Sequence, residues 1–155
     1  MIEQVSEKKK VLYRILVFDD HQEILNLLKV VFDSRGYEVL TYPHPGACPI
    51  FDKESCSCPE GQSCTDIILT DINMPVMRGI DFIEKQIKKG CQCEHLALMS
   101  GDYTSDDMQR ANELGLKFFQ KPFTIADVFE WLDQIEQNIN PERRLTECKE
   151  QLHLN

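Results

Sequence analysis

Five short apolar runs recur along the chain, each stopping abruptly at a polar or charged residue. The most telling is Ile67-Ile68-Leu69, which passes through Thr70 into Asp71-Ile72-Asn73-Met74-Pro75. A run this short, apolar on both faces and bounded by breakers, reads as a buried strand. Pro75 blocks helix continuation and biases Met74 toward an extended backbone. Asp71 is therefore presented at a strand end, held by the sheet and still within reach of solvent.

The other runs repeat the plan. Arg14-Ile15-Leu16-Val17-Phe18 ends in Asp19-Asp20, and Tyr37 to Tyr42 reads as a second strand. Leu96-Ala97-Leu98-Met99 ends at Ser100-Gly101, and Leu116 to Gln120 ends at Lys121-Pro122-Phe123. Between them lie stretches of helical period. Ile24, Leu27, Leu28 and Val31 predict one apolar face, with Gly36 as the stop. Ile80, Ile83 and Ile87 predict a second, in a helix from Gly79 to Lys89 ended by Gly90. A weaker helix runs from Ser105 to Leu114 and stops at Gly115. Thr124 caps a last helix with Ile125, Val128, Leu132 and Ile135 inward. Strands alternating with helices imply an α/β fold, a parallel sheet covered on both faces. Right-handed crossovers then place Asp20, Asp71, Ser100 and Lys121 on one rim, where ligands of such sheets bind.

Residues 43–65 break the rhythm. Pro43, Pro45, Gly46, Pro49, Pro59 and Gly61 leave room for at most a short helix around Ala47, Ile50 and Phe51. The expected organisation is an arm over residues 1–10, one domain over 11–138 with this irregular segment in place of its second helix, and a tail over 139–155. The tail after Asn140-Pro141 is charged and could form one more short helix.

The formal charge of −9 argues against nucleic acid or an anionic membrane surface as a partner. No apolar run approaches the roughly 20 residues that span a bilayer. The first ten residues do not read as a secretory signal, so a cytoplasmic protein with reduced thiols is expected.

Asp19, Asp20 and Asp71 converging in one crevice repel one another unless a cation joins them. Mg²⁺, a hard ion that takes carboxylates and carbonyls, fits that need. Lys121 adds a fixed positive charge and Ser100 a hydroxyl. A nucleophilic carboxylate, a divalent ion and a cationic donor are the parts of in-line phosphoryl transfer.

Phe18-Asp19-Asp20, Thr70-Asp71-Ile72-Asn73-Met74-Pro75, Met99-Ser100-Gly101 and Lys121-Pro122-Phe123 together resemble the receiver domain of two-component response regulators, across roughly residues 12–137. The resemblance implies a flavodoxin-like, CheY-like doubly wound five-stranded sheet of order 2-1-3-4-5. It implies that Asp71 accepts phosphate from a histidine kinase or phosphotransfer protein. Asp20, Asp71 and the Asn73 backbone carbonyl would bind Mg²⁺, and Asp19 would hold a metal water. Lys121 would pair with phosphoryl oxygens, and Ser100 would close onto the phosphate. Phe118, three residues before the lysine, would be the switch aromatic, without the hydroxyl of a tyrosine. Asn73 and Asp102 would guide the water that hydrolyses the aspartyl phosphate. With little chain after residue 140, a single-domain regulator is expected, whose output is protein–protein contact. Its face would be the helix over 105–114, the fifth strand and the last helix, with Asp106, Asp107, Gln109 and Arg110 on it. His21 reads as a surface or helix-start residue.

The cysteines depart from that family. Cys48, Cys56, Cys58 and Cys64 lie in the irregular segment, and Cys91 and Cys93 follow the helix at 79–89. Neighbouring third and fourth strands would bring these groups together below the sheet, opposite Asp71. They are candidate ligands for Zn²⁺ or an iron–sulfur cluster, with a disulfide or free thiols as the alternatives. Cys148 carries no assigned role. Two rival functions remain: a metal or redox sensor on a receiver scaffold, and a haloacid-dehalogenase-like phosphohydrolase. The latter wants its nucleophile at the end of the first strand and an Asp two residues on, where this chain has Asn73 after Asp71.

Overall fold

The structure is a computed structural model, and it describes residues 11–147. The expectations for the 1–10 arm, for Cys148 and for the end of the tail fall outside the described residues.

The strands are β1 (Arg14–Phe18), β2 (Glu38–Tyr42), β3 (Ile67–Asp71), β4 (His95–Ser100) and β5 (Lys117–Gln120). The helices are α1 (Gln22–Ser34), α2 (Gly79–Lys88), α3 (Ser105–Glu113) and α4 (Ile125–Glu136). All strands pair in parallel, in the order β2-β1-β3-β4-β5. This is the flavodoxin-like receiver architecture that the motifs imply.

Alternate strand residues feed opposite layers, as a two-residue pleat requires. Ile15, Val17, Ile67, Leu69, Ala97, Met99 and Phe119 face α1 and α4. Leu16, Phe18 and Ile68 face Phe82 of α2 and the segment after β2. Leu98 packs with Ile80 and Ile83 of α2 and Ala111 of α3.

The predicted helix faces hold at their centres (Leu28 and Val31, Ile80 and Ile83, Val128, Leu132 and Ile135 are buried), and each is misjudged at one edge. In α1 the buried residues are Leu25, Leu28, Val31 and Phe32, while Leu27 is 56% exposed. In α2 Phe82 and Gln86 go inward and Ile87 is 39% exposed. In α4 Trp131 is buried and Ile125 lies outside. Each apolar stripe is wider than its inward set, and only the sheet decides which edge wins. The terminators hold. Gly36, Gly90 and Gly115 end their helices at φ +88°, +88° and +71°, left-handed values that favour glycine. Thr124 and Asp127 form a capping box at α4, and Thr104 and Asp107 form another at α3.

No α-helix forms between β2 and β3. A single 3₁₀ turn at Pro45–Ala47 precedes a stretch of turns and bends up to β3. Cys48 is buried there, and Ile50 and Phe51 pack on the same cluster as Leu16, Ile68 and Phe82. Through residue 147 the tail makes no helix. Instead Leu145 bridges to Ser63, and Arg143 clasps Asp66 at 2.6 and 2.8 Å. No helix among the described residues is long and apolar enough to cross a membrane.

Candidate phosphoacceptor site

Parallel strands deliver β1, β3 and β4 to a common carboxyl-terminal rim, and β5 adds Lys121 there. Asp71, the last residue of β3, is 5% exposed. Asp19, just past β1, is fully buried, and Asp20 beside it faces solvent. The Lys121 ammonium reaches across the rim. It donates to Asp19 Oδ2 at 2.8 Å and lies 3.3 Å from Asp71 Oδ1. The sequence-predicted acidic residues and lysine therefore meet.

Burial is the first cause pushing the Asp71 carboxyl above the ordinary carboxylate range. The Asp19 and Asp20 charges push the same way, and Lys121 opposes them. Two carboxylates share the one ammonium and Asp20 lies beside them, which leaves net negative charge among hard oxygen donors. That donor set fits Mg²⁺ better than a soft metal.

A testable consequence follows for stability. A carboxyl whose folded pKa is raised favours the folded state when protonated. That contribution is lost as pH rises through the ordinary carboxylate range, and the penalty is complete above the raised value. Without Mg²⁺ at neutral pH, Asp71→Asn is expected to raise the melting temperature by about 3 °C. The gain should vanish in acidic buffer, where Asp71 is protonated in both states. Melting curves at several pH values check this.

The backbone around Asp71 is tightly fixed. Thr70 Oγ1 donates to the Asp71 carbonyl at 2.9 Å. Gly79 N–H donates to Ile72 O at 2.8 Å, closing the loop that carries Asn73 to Arg78. A Cβ on Gly79 would lie 1.9 Å from the Asp71 carbonyl oxygen. Val76, in the same loop, sits at φ +74°, a strained value for a β-branched residue.

Ser100 is 1% exposed. Its hydroxyl donates to Asp102 O at 2.9 Å and accepts from Asp102 N–H at 3.1 Å. Asn73 Nδ2 donates to the same Asp102 carbonyl at 2.6 Å, tying the β3 and β4 loops together. Phe118 is half-buried on β5 and packs edge-on against Tyr103, with centroids 4.7 Å apart.

One expectation is extended here and another corrected. His21 is the N-cap of α1, as a helix-start residue should be, but its ring also belongs to the acidic cluster. Its Nδ1 lies 3.2 Å from Asp19 Oδ1 and 3.3 Å from Asp20 Oδ1. Among the described residues, Asp19, Asp20 and His21 are the one set of three possible metal ligands with atoms within 4.8 Å of one another. The signal for His21 was its adjacency to the acidic pair. Asp107 and Arg110, expected on an output face, are instead engaged with α2 and the loop before it. Arg78 makes two bonds to Asp107, at 2.8 and 3.1 Å. Arg110 pairs with Glu84, and with Asp81 at 2.9 Å. Asp106 and Gln109 remain exposed.

The six described cysteines divide into two groups, with no disulfide among them. Cys48 and Cys93 are buried in the apolar cluster under β1 and β3. Cys56, Cys58, Cys64 and Cys91 line one cavity. The six therefore form no single ligand set, because two are packed as core residues.

Known proteins share this architecture. The chain is 27% identical over 131 residues to the chemotaxis protein CheY-3 of Vibrio cholerae, covering 81% of this chain and 93% of that one. It is 29% identical over 133 residues to the nisin biosynthesis regulatory protein NisR of Lactococcus lactis, covering 85% of this chain and 52% of NisR. The chain thus spans about half the length of that relative. Among solved structures, CheY4 of Vibrio cholerae superposes with a TM-score of 0.63 at 20% identity, over 80% of this chain and 98% of that one. The receiver domain of Francisella response regulator 1452 does so at 0.66 and 18% identity, over 81% and 98%. These two share the fold. The sequence pattern of the response regulator receiver domain matches residues 15–133, and the chain belongs to that family.

Proposed function

We propose that this protein is a phosphoacceptor in two-component signalling, with Asp71 taking a phosphoryl group from a histidine kinase or phosphotransfer protein. The observation that carries the reading is the Lys121 ammonium set between Asp19 and Asp71 at the sheet rim. An Asp71 carboxylate oxygen attacks phosphorus in line. A P–O bond forms as the P–N bond of the donor imidazole breaks, and the electron pair leaves on nitrogen. Asp20, Asp71 and the Asn73 carbonyl would hold Mg²⁺, with Asp19 placed to support it from behind. When bound, Mg²⁺ neutralises the carboxylates and the oxygens in transfer.

Lys121 then exchanges its Asp71 contact for a phosphoryl oxygen and keeps Asp19. Ser100 gives up the Asp102 carbonyl to donate to the phosphate. Phe118 moves with it against Tyr103, by packing alone. These shifts alter the surface of α3, β5 and α4, the proposed face for a downstream protein. The hydrolase alternative is disfavoured, because Asp71 ends the third strand and the first ends in Asp19-Asp20 with no aspartate two residues on.

The test is labelling by acetyl phosphate with Mg²⁺. One phosphoryl group per chain is expected, with loss of labelling in Asp71→Asn and after removal of Mg²⁺. Multiple turnover of a generic phosphate ester would overturn the reading. In the same assay Asn73→Ala is expected to change the decay rate of the label several-fold, since Asn73 is exposed beside Asp71 and held to Asp102.

A further inference from the structure

Below the sheet, at the opposite end from Asp71, four thiols surround one small cavity. Cys56, Cys58 and Cys64 come from the segment between β2 and β3, and Cys91 from the connection between α2 and β4. The cavity holds about 20 Å³, space for a single ion or water. We propose that it is a structural zinc site with Cys56, Cys58, Cys64 and Cys91 as the four ligands.

The first support is the packing deficit. Residues 52–63 contain no helix or strand and are exposed or half-buried, with Asp52, Lys53, Glu54, Glu60 and Gln62 among them. Ordering a loop of this length costs conformational entropy that so little apolar burial cannot offset. Its ties to the body include Cys56 N–H to Lys89 O at 2.8 Å and Lys89 Nζ to Phe51 O at 2.8 Å. A tetrathiolate metal would brace the segment where the absent helix leaves a gap.

The second is the chemistry around the thiols. Cys58 Sγ lies 3.3 Å from Thr146 Oγ1, accepts from Cys64 N–H and contacts the Cys56 thiol. A backbone N–H and a hydroxyl within hydrogen-bond reach of the sulfur suit a thiolate. A cation held by the sulfurs would keep Cys58 in that thiolate form. The third is charge. A Zn²⁺ with four thiolates carries two negative charges, and the Lys53 and Lys89 side chains line the same cavity.

No three of these sulfurs lie within 4.8 Å of one another, so metal binding requires the cysteine side chains to turn inward about χ1. The Cys-x-Cys spacing of 56 and 58 differs from a zinc ribbon, and the fold supplies the proximity instead. Binding releases four thiol protons to solvent as four S–Zn bonds form, and no electron moves. Cys93 is excluded. Its thiol is buried among apolar groups and donates to Asp66 O at 3.4 Å.

The test is elemental analysis of the full chain purified under reducing conditions. One zinc per chain is expected, falling at least tenfold in Cys64→Ser and Cys91→Ser and unchanged in Cys93→Ala. Should the serine variants fail to fold, cobalt substitution of the unaltered chain supplies the readout, through thiolate-to-cobalt charge-transfer bands. A metal-free chain whose thiols all titrate and which shows no such bands with cobalt overturns the site. Iron with acid-labile sulfide overturns the zinc assignment, and equal zinc loss in folded Cys93→Ala overturns the choice of ligands. A strand of about five residues, roughly 17 Å, separates the cavity from Asp71. Acetyl phosphate labelling therefore reads the phosphoacceptor independently, and either reading can fail alone.

Discussion

Replacing Gly79 with alanine is expected to cost roughly 3 kcal/mol of stability and lower the melting temperature by about 10 °C. The added Cβ would meet the Asp71 carbonyl oxygen at 1.9 Å and Thr70 Oγ1 at 2.8 Å. The first of these is backbone in the last residue of a buried strand, which cannot swing aside as a flexible side chain would. Relief must come from moving the start of α2 or bending the end of β3. Either breaks the Gly79 N–H bond to Ile72 O. Both also displace Asp71, so acetyl phosphate labelling of the folded variant should slow by up to about a hundredfold. Thermal melts beside initial labelling rates measure the two effects. A variant with unchanged melting would mean that α2 can lift off Asp71 freely.

The second large effect is expected at the other end of the sheet. Asp66 is 8% exposed, and its carboxylate accepts from Arg14 N–H at 2.9 Å and from Arg143 at 2.6 and 2.8 Å. Arg143→Ala removes the charged partner and leaves a buried anion with one backbone donor. Breaking a buried pair from one side costs about 3 kcal/mol, or some 10 °C here. Arg143 also donates to Leu12 O at 2.9 Å and stacks over the Tyr13 ring. The segment up to Glu147 should loosen with it, exposing Cys58 where Thr146 now touches it. Adding Asp66→Asn to Arg143→Ala should recover part of the loss, because the stranded charge is gone. A double-mutant cycle reads that coupling. Additive losses would locate the effect in the Tyr13 stacking rather than in the ion pair.

The residues gathered at the sheet rim were legible because each is coded locally. Asp71 and the Asp19-Asp20 pair end apolar runs, and Lys121 precedes a proline, so the punctuation of the strands names the groups on the rim. Gly79 was read only as a helix start. Its close approach to the Asp71 carbonyl is a contact between a loop and a strand end, invisible to any local pattern. His21 was passed over because a lone histidine after two aspartates has no periodic signature, and only the turn into α1 folds its ring back onto them. Asp107 and Arg110 looked like a solvated face. Their partners, Arg78, Asp81 and Glu84, lie more than 25 residues away and reach them because α2 and α3 sit on the same side of the sheet.

The sequence by itself determined the alternation of strand and helix, the helix stops, and the acidic and basic groups at strand ends. These follow from polarity along a few consecutive residues and from the backbone limits of glycine and proline. Tertiary structure decided which of Leu25 or Leu27, Phe82 or Ile87, turned inward, since a wide apolar stripe leaves the rotation of a helix open until a sheet is present. It also divided six cysteines into two core residues and four around a cavity. That division depends on the β3–β4 pairing, which brings the stretch before each strand to a common edge, and on the absence of a helix that would otherwise have covered it.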